Sequence, residues 1–94
     1  MLAIARFNVA LGDVAHFEAE LSTALDALTH CAGFIRGEFG QNLDESSLWT
    51  LVTYWENVGS YRRALSNNDV KMNAIPVLAR AIDEPGAYER PYSE

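Results

Sequence analysis

Apolar residues change their period several times along this chain, and each change predicts an element. Leu2–Ala10 is rich in Leu, Ile, Phe and Val and ends at Leu11-Gly12-Asp13, which predicts a strand closed by a turn. Asp13 is of a residue type that caps helices. Beyond it Val14, Phe17, Leu21, Ala24, Leu25 and Leu28 recur at helical spacing, with Glu18, Glu20 and Asp26 off the centre of the stripe. The helix is expected to run to about Thr29 and to stop before Gly33.

Two strands follow, Phe34–Phe39 and Ser47–Trp55, joined by Gly40–Ser46, a segment of hairpin-loop composition. Asn57 is placed to cap a second helix through Tyr61, Ala64 and Leu65. Asn67-Asn68-Asp69 interrupts it, and a helical stretch restarts over Val70–Ile82, with Pro76 either kinking it or opening its second half. After the turn Asp83-Glu84-Pro85-Gly86, Ala87–Tyr92 predicts a short strand that Pro91 would confine to a sheet edge. The order βαββαβ predicts an α+β, ferredoxin-like domain: an antiparallel sheet with helices on one face.

The third strand breaks the alternation expected of a sheet that is wet on one side. Trp49, Leu51, Thr53 and Trp55 share one face, and Leu48, Thr50, Val52 and Tyr54 share the other. In the second strand a period of two sets Ile35 and Phe39 opposite Phe34, with Arg36 and Glu38 as the charges. Helices cover one face, and the chain has little loop with which to cover the other. Packing two identical sheets together is the expected solution, a homodimer through the sheet face.

Composition narrows the picture. Ninety-four residues suit one domain over 1–94. Cys31 is the single cysteine, so no disulfide forms within the chain, in keeping with a reducing, cytoplasmic setting. The apolar start is too short to cross a bilayer. The net charge of −6, with basic residues scattered except for Arg62-Arg63, gives no footprint for nucleic acid or an anionic membrane. Almost half the residues, 49%, are apolar and 11% are aromatic, an excess that again asks for a partner surface or a pocket.

The common catalytic signatures are absent: no GxSxG elbow, phosphate loop or GxGxxG stands in the chain. His16 and His30 fall on the polar side of the first helix without a metal-ligand partner one turn away, and Cys31 has no neighbouring base, so neither a metal nor a flavin site is expected. The acidic pairs Asp44-Glu45 and Asp83-Glu84 belong to turns, where carboxylates face solvent. The remaining candidates are aromatic. Trp49, Trp55 and Tyr61 could line a space between sheet and helices, with Arg6 and Asn8 on the first strand as polar groups. The same stripe is also what a plain core would show.

Gly33-Phe34-Ile35-Arg36-Gly37-Glu38-Phe39, Leu48 to Asn57 and Tyr61-Arg62-Arg63-Ala64-Leu65 together resemble the antibiotic biosynthesis monooxygenase family. The "GF" that opens strand two and the Trp55-Glu56 followed by Tyr61 carry the resemblance, which extends through Ala87-Tyr88-Glu89. The family implies a dimeric α/β barrel of two ferredoxin-like protomers, each with a pocket under its helices. Some of its members oxidise aromatic polyketides or quinols with O₂ and no cofactor. The resemblance matches Trp55 and Tyr61 to the family's catalytic residues; with Asn8 as a substitute hydrogen-bond donor these are the expected catalytic residues, and Trp49, Leu51 and Arg36 are the expected substrate-binding ones. The polyketide-oxidising branch has an Asn where Leu51 stands and a His near Gly40. The haem-degrading branch has a His around Asn73–Ile75 and a Trp near Ala64, and this chain has neither. A cofactor-free monooxygenase therefore leads. A non-catalytic small-molecule-binding or stress-response module on the same barrel follows, and a partner-binding structural protein comes third.

Overall fold

The computed structural model describes residues 1–91. Its strands are β1 (Leu2–Asn8), β2 (Phe34–Gln41), β3 (Leu48–Trp55) and β4 (Ala87–Tyr88), and its helices are α1 (Val14–Thr29), α2 (Val58–Leu65), α3 (Asn68–Asn73) and α4 (Ile75–Leu78). They form an open, four-stranded antiparallel sheet in the order β2-β3-β1-β4. This is the ferredoxin-like α+β arrangement that the pattern predicts, with the two central strands contributed by the two halves of the chain.

Because β3 is paired on both sides, the pleat alone sorts its side chains. Trp49, Leu51, Thr53 and Trp55 are buried against the helices, whereas Leu48, Thr50, Val52 and Tyr54 lie half-buried on the outer face. Register sets Ala3, Ala5 and Phe7 of β1 beside the inner row and Leu2, Ile4, Arg6 and Asn8 beside the outer one. Against the inner row α1 places Phe17, Leu21, Ala24 and Leu28, all buried. Each large apolar side chain so covered contributes roughly 1.5–3 kcal/mol.

Strand β2 departs from simple alternation. Its pairing with β3 slips between Phe34 and Arg36, so Ile35 is an extra residue, 57% exposed. The slip brings Phe39 to the same inner side as Phe34: Phe34 meets Trp55 edge-on and Phe39 meets Trp49. The expected opposition of these two phenylalanines is therefore corrected by the bulge.

Local chemistry sets the helix boundaries. Asn57 Oδ1 accepts from Ser60 N at 2.8 Å to cap α2, and Asn67 Oδ1 accepts from Val70 N at 3.2 Å to cap α3. Pro76 falls in the first turn of α4, where its missing N–H costs nothing, so it opens the second half of the helical stretch instead of kinking it. Asp13 makes no side-chain cap. It ends a 3₁₀ turn, Leu11–Asp13, with φ −104° and ψ 1°, away from the extended geometry that a capping side chain uses. The last strand is shorter than predicted, and Tyr92 lies outside the described residues.

Gly33 joins α1 to β2 with φ of 88°, and its carbonyl accepts from Glu56 N at 2.8 Å. A Cβ there would collide with the side chain of Ser60, in the first turn of α2. Gly33→Ala is expected to lower stability by at least about 2 kcal/mol, from the left-handed backbone and the collision together. The urea midpoint reads this out, and an unchanged midpoint would show that neither constraint operates.

Candidate functional site

On the inner face of β1, Phe7 fills the space under the helices but Ala3 and Ala5 do not. Between Ala5 and the layer formed by α2 and α4 lies a cavity of about 460 Å³, within the usual range for small-molecule sites. Ala5, Tyr61, Leu65 and Leu78 wall it, and residues of the strap Ile82–Ala87 border it. A smaller chamber of about 40 Å³ shares Tyr61, Leu65 and Leu78 with it and continues inward to Ala3, Leu28 and Leu51. Tyr61 thus belongs to both chambers and marks the inner end of the larger one.

The position of Tyr61 follows from its neighbours. Asn57 caps the helix on which it stands, and Ser60 is buried against Gly33. Trp55 lies behind its ring at a centroid separation of 5.7 Å and lines neither chamber. The Trp55 indole is itself fixed: Nε1 donates to Thr53 Oγ1 at 2.8 Å, and Phe34 packs edge-on at 5.3 Å. Burial raises the Tyr61 phenol above its ordinary pKa, so at neutral pH it is a protonated donor.

Of the residues expected at the site, the structure brings Leu51, Trp55 and Tyr61 together and sets the others apart. Asn8 is exposed at the end of β1, opposite Leu48 on the outer face. Arg36 is also on the outer face, with its guanidinium 4.0 Å from the centroid of the Tyr54 ring. Trp49 is buried at the far end of β3 between Phe17 and Phe39. Its Nε1 has no hydrogen-bond partner among the described residues. It borders a separate depression of about 300 Å³ shared with Arg6, Gln41 and Thr50.

The cavity also has walls that the aromatic pattern did not single out: Ala3, Ala5, Leu65, Leu78 and Glu84. The small residues of β1 are a signal readable in the sequence, since only alanines leave such a space. Glu84 gives no local signal, because its partner is 78 residues away. Arg6 donates from Nε and Nη2 to the two Glu84 oxygens, each at 2.7 Å. These hydrogen bonds hold the Glu84 carboxyl below its usual pKa and raise that of Arg6. Backbone bonds fasten the strap on either side, from Ile82 N to Arg6 O and from Ile4 N to Gly86 O, both at 2.7 Å.

The histidines sit elsewhere. His16 lies 3.6 Å from Glu20 at the surface, and His30 Nδ1 is 2.8 Å from the Asp26 carbonyl. Burial pushes the Cys31 thiol above its ordinary pKa, away from the reactive thiolate. Among the described residues no three His, Cys, Asp or Glu side chains converge on a metal position, and no helix is long and apolar enough to cross a membrane.

Comparison with known proteins joins this geometry to a family. SnoaB, a cofactor-independent oxygenase from Streptomyces nogalater, superposes with a TM-score of 0.81 at 22% identity, over 98% of this chain and 93% of that one. A protein from Deinococcus radiodurans described as an antibiotic biosynthesis monooxygenase gives 0.78 at 15% identity, over 99% and 94% of the two chains. One of the same description from Bordetella bronchiseptica gives 0.71 at 23% identity, over 92% and 88%. At such identities these likenesses establish the fold. No curated protein matches the sequence. The family sequence model described as antibiotic biosynthesis monooxygenase matches residues 1–72, which covers the cavity's β1 wall, Leu51, Trp55 and Tyr61, and the chain belongs to that family.

Proposed function

We propose that this protein is a cytoplasmic, cofactor-independent monooxygenase that uses O₂ to oxidise a small aromatic, polyketide- or quinol-like compound. The observation that carries the reading is the cavity itself: an apolar space whose inner end holds one polar side chain, the protonated Tyr61 phenol, backed by Trp55. Family membership and the likeness to a cofactor-independent oxygenase support it.

An electron-rich phenol or quinol, once deprotonated, can reduce O₂ itself. One oxygen atom enters the product and the other leaves as water. What the protein supplies is orientation, a dry setting and a donor for the developing oxyanion. In this reading Tyr61 donates to the substrate oxygen, Leu51 shapes the inner chamber and Trp55 positions the Tyr61 ring. Binding without turnover is the competing reading, and it too has a specific support: among the described residues the cavity walls offer no base suited to neutral pH. Tyr61 is held protonated, and Glu84 is held as a weakly basic carboxylate.

The active form is proposed to be a homodimer. Leu2, Ile4, Leu48, Val52 and Tyr54 form an apolar outer face that no helix of the described residues covers. A second copy packed sheet to sheet would bury it. Sedimentation equilibrium should give twice the chain mass of 10.4 kDa, and Val52→Arg should give the monomer. A monomeric wild type would contradict the dimer.

Oxygen consumption in metal-free, flavin-free buffer with an anthrone-type substrate tests the chemistry. Tyr61→Phe should lower kcat on the order of 100-fold, the usual loss for an oxyanion donor. Because the Tyr61 pKa is raised, its donor role is complete below the ordinary tyrosine value and is lost as pH rises through the higher folded value. The alkaline limb of kcat should therefore lie above the ordinary tyrosine range and vanish in Tyr61→Phe. Ligand binding with no oxygen uptake across a panel of phenols and quinols would leave the binding module standing instead.

A further inference from the structure

The smaller, inner chamber is the wrong size for a ring. At about 40 Å³ it has room for about one or two molecules the size of water, whereas aromatic ligands occupy pockets of about 300 Å³ or more. The walls that it does not share with the larger cavity, Ala3, Leu28 and Leu51, are all buried. Those of the larger cavity include the exposed Ala79 and Ala87. The chamber is thus the deeper space, and it adjoins the larger one across Ala5, Tyr61, Leu65 and Leu78.

Its lining disfavours water. Seven of the eight wall residues are alanine, leucine or isoleucine, and Tyr61 is the eighth. Burial keeps the Tyr61 phenol neutral, so no wall carries a charge at neutral pH. The backbone of the β1 wall is engaged in the sheet: Ala3 and Ala5 pair with Thr53 and Leu51, and Ile4 N donates to Gly86 O at 2.7 Å. On the helices, the Leu28 carbonyl accepts from Cys31 N and the Leu78 carbonyl from Ala81 N, each at 3.1 Å. A buried water needs about two to four polar partners, and the side chains here offer one phenol. A small apolar molecule has no hydrogen bonds to lose on entering and gains contact with every wall.

We infer, on the oxygenase reading proposed above, that the inner chamber is a binding site for molecular oxygen beside a ring held in the larger cavity. A diatomic, apolar molecule fits both the volume and the lining. Holding it across Ala5 and Tyr61 from the ring sets the two reactants side by side before they react. The division of the space is then a division of labour: the larger cavity takes the aromatic compound and the smaller one its co-substrate.

Xenon reports on the chamber directly, because it is apolar, enters dry cavities and is located by its anomalous scattering. A crystal of the full chain under xenon pressure should show xenon between Leu28, Leu51 and Tyr61. Ala3→Val adds two methyl groups to a wall that only the inner chamber has, and it should abolish that site. In oxygen-uptake assays with an anthrone-type substrate, the same variant should raise the KM for O₂ on the order of tenfold. The calorimetric Kd of a non-reacting hydroxyanthraquinone should stay unchanged. Leu51→Phe fills the chamber from β3 and should raise the KM for O₂ likewise, so the test does not hang on one variant's folding. A cooperative urea transition establishes that each variant is folded. A wild-type chamber that takes no xenon, or an unchanged KM for O₂ in a folded variant that has lost the xenon, would overturn the inference. A wild type that consumes no oxygen would overturn the oxygenase reading, and the xenon map still decides whether the chamber takes an apolar gas.

Discussion

With a neighbour on each edge, β3 can place its side chains only above or below the sheet, and both rows are largely apolar. The inner row organises the domain. Trp49 and Trp55 anchor its two ends, and Leu51 and Thr53 lie between them under the helices. The outer row has no helix among the described residues to cover it. The same strand thus sets where the helices pack and leaves a face that asks for a second sheet. Fold and proposed assembly follow from one constraint, that a doubly paired strand cannot hide its alternate residues.

The cavity arises where the inner row meets small neighbours. Ala5 pairs with Leu51 and Ala3 with Thr53, so the sheet recedes just where α2 brings Tyr61 over it. Tyr61 is held from several sides. Its helix starts at the Asn57 cap, that start is seated on Gly33 through Ser60, and its ring rests on Trp55. Trp55 in turn spends its N–H on Thr53, so the supporting ring presents no polar atom that would call for another partner. The site is therefore built from rigid elements, and the strap Ile82–Ala87 completes it from the edge of the sheet.

Much of this was legible in the sequence because it is local. The alternation in Leu48–Trp55, the stripe from Val14 to Leu28, the Asn57 cap and the stop at Gly33 each depend on residues close together in the chain. So did the resemblance carried by Gly33-Phe34 and by Trp55 with Tyr61, which the family match bears out. What depends on long-range pairing was not legible. The bulge at Ile35 is a property of the β2–β3 register, and it moved Phe39 to the inner face. One local feature was also missed: the 3₁₀ turn Leu11–Asp13 takes Asp13 out of capping geometry. Strand parity in β1 relative to Ala3 and Ala5 determines that Asn8 and Arg6 point outward. Glu84 has the composition of a solvated turn, and its place beside the cavity depends on contacts with β1 at the other end of the chain, from Arg6 and from the strap's backbone bonds.

The substrate is expected to bind in the larger cavity between Ala5, Tyr61, Leu65 and Leu78. A crystal structure of the protein with a bound hydroxyanthraquinone tests it most directly. The ring is expected under α2 and α4, with a ligand oxygen within hydrogen-bond distance of Tyr61 Oη. A ring bound on the outer sheet face or in the depression beside Trp49, with the cavity at Tyr61 left without ligand, would contradict it.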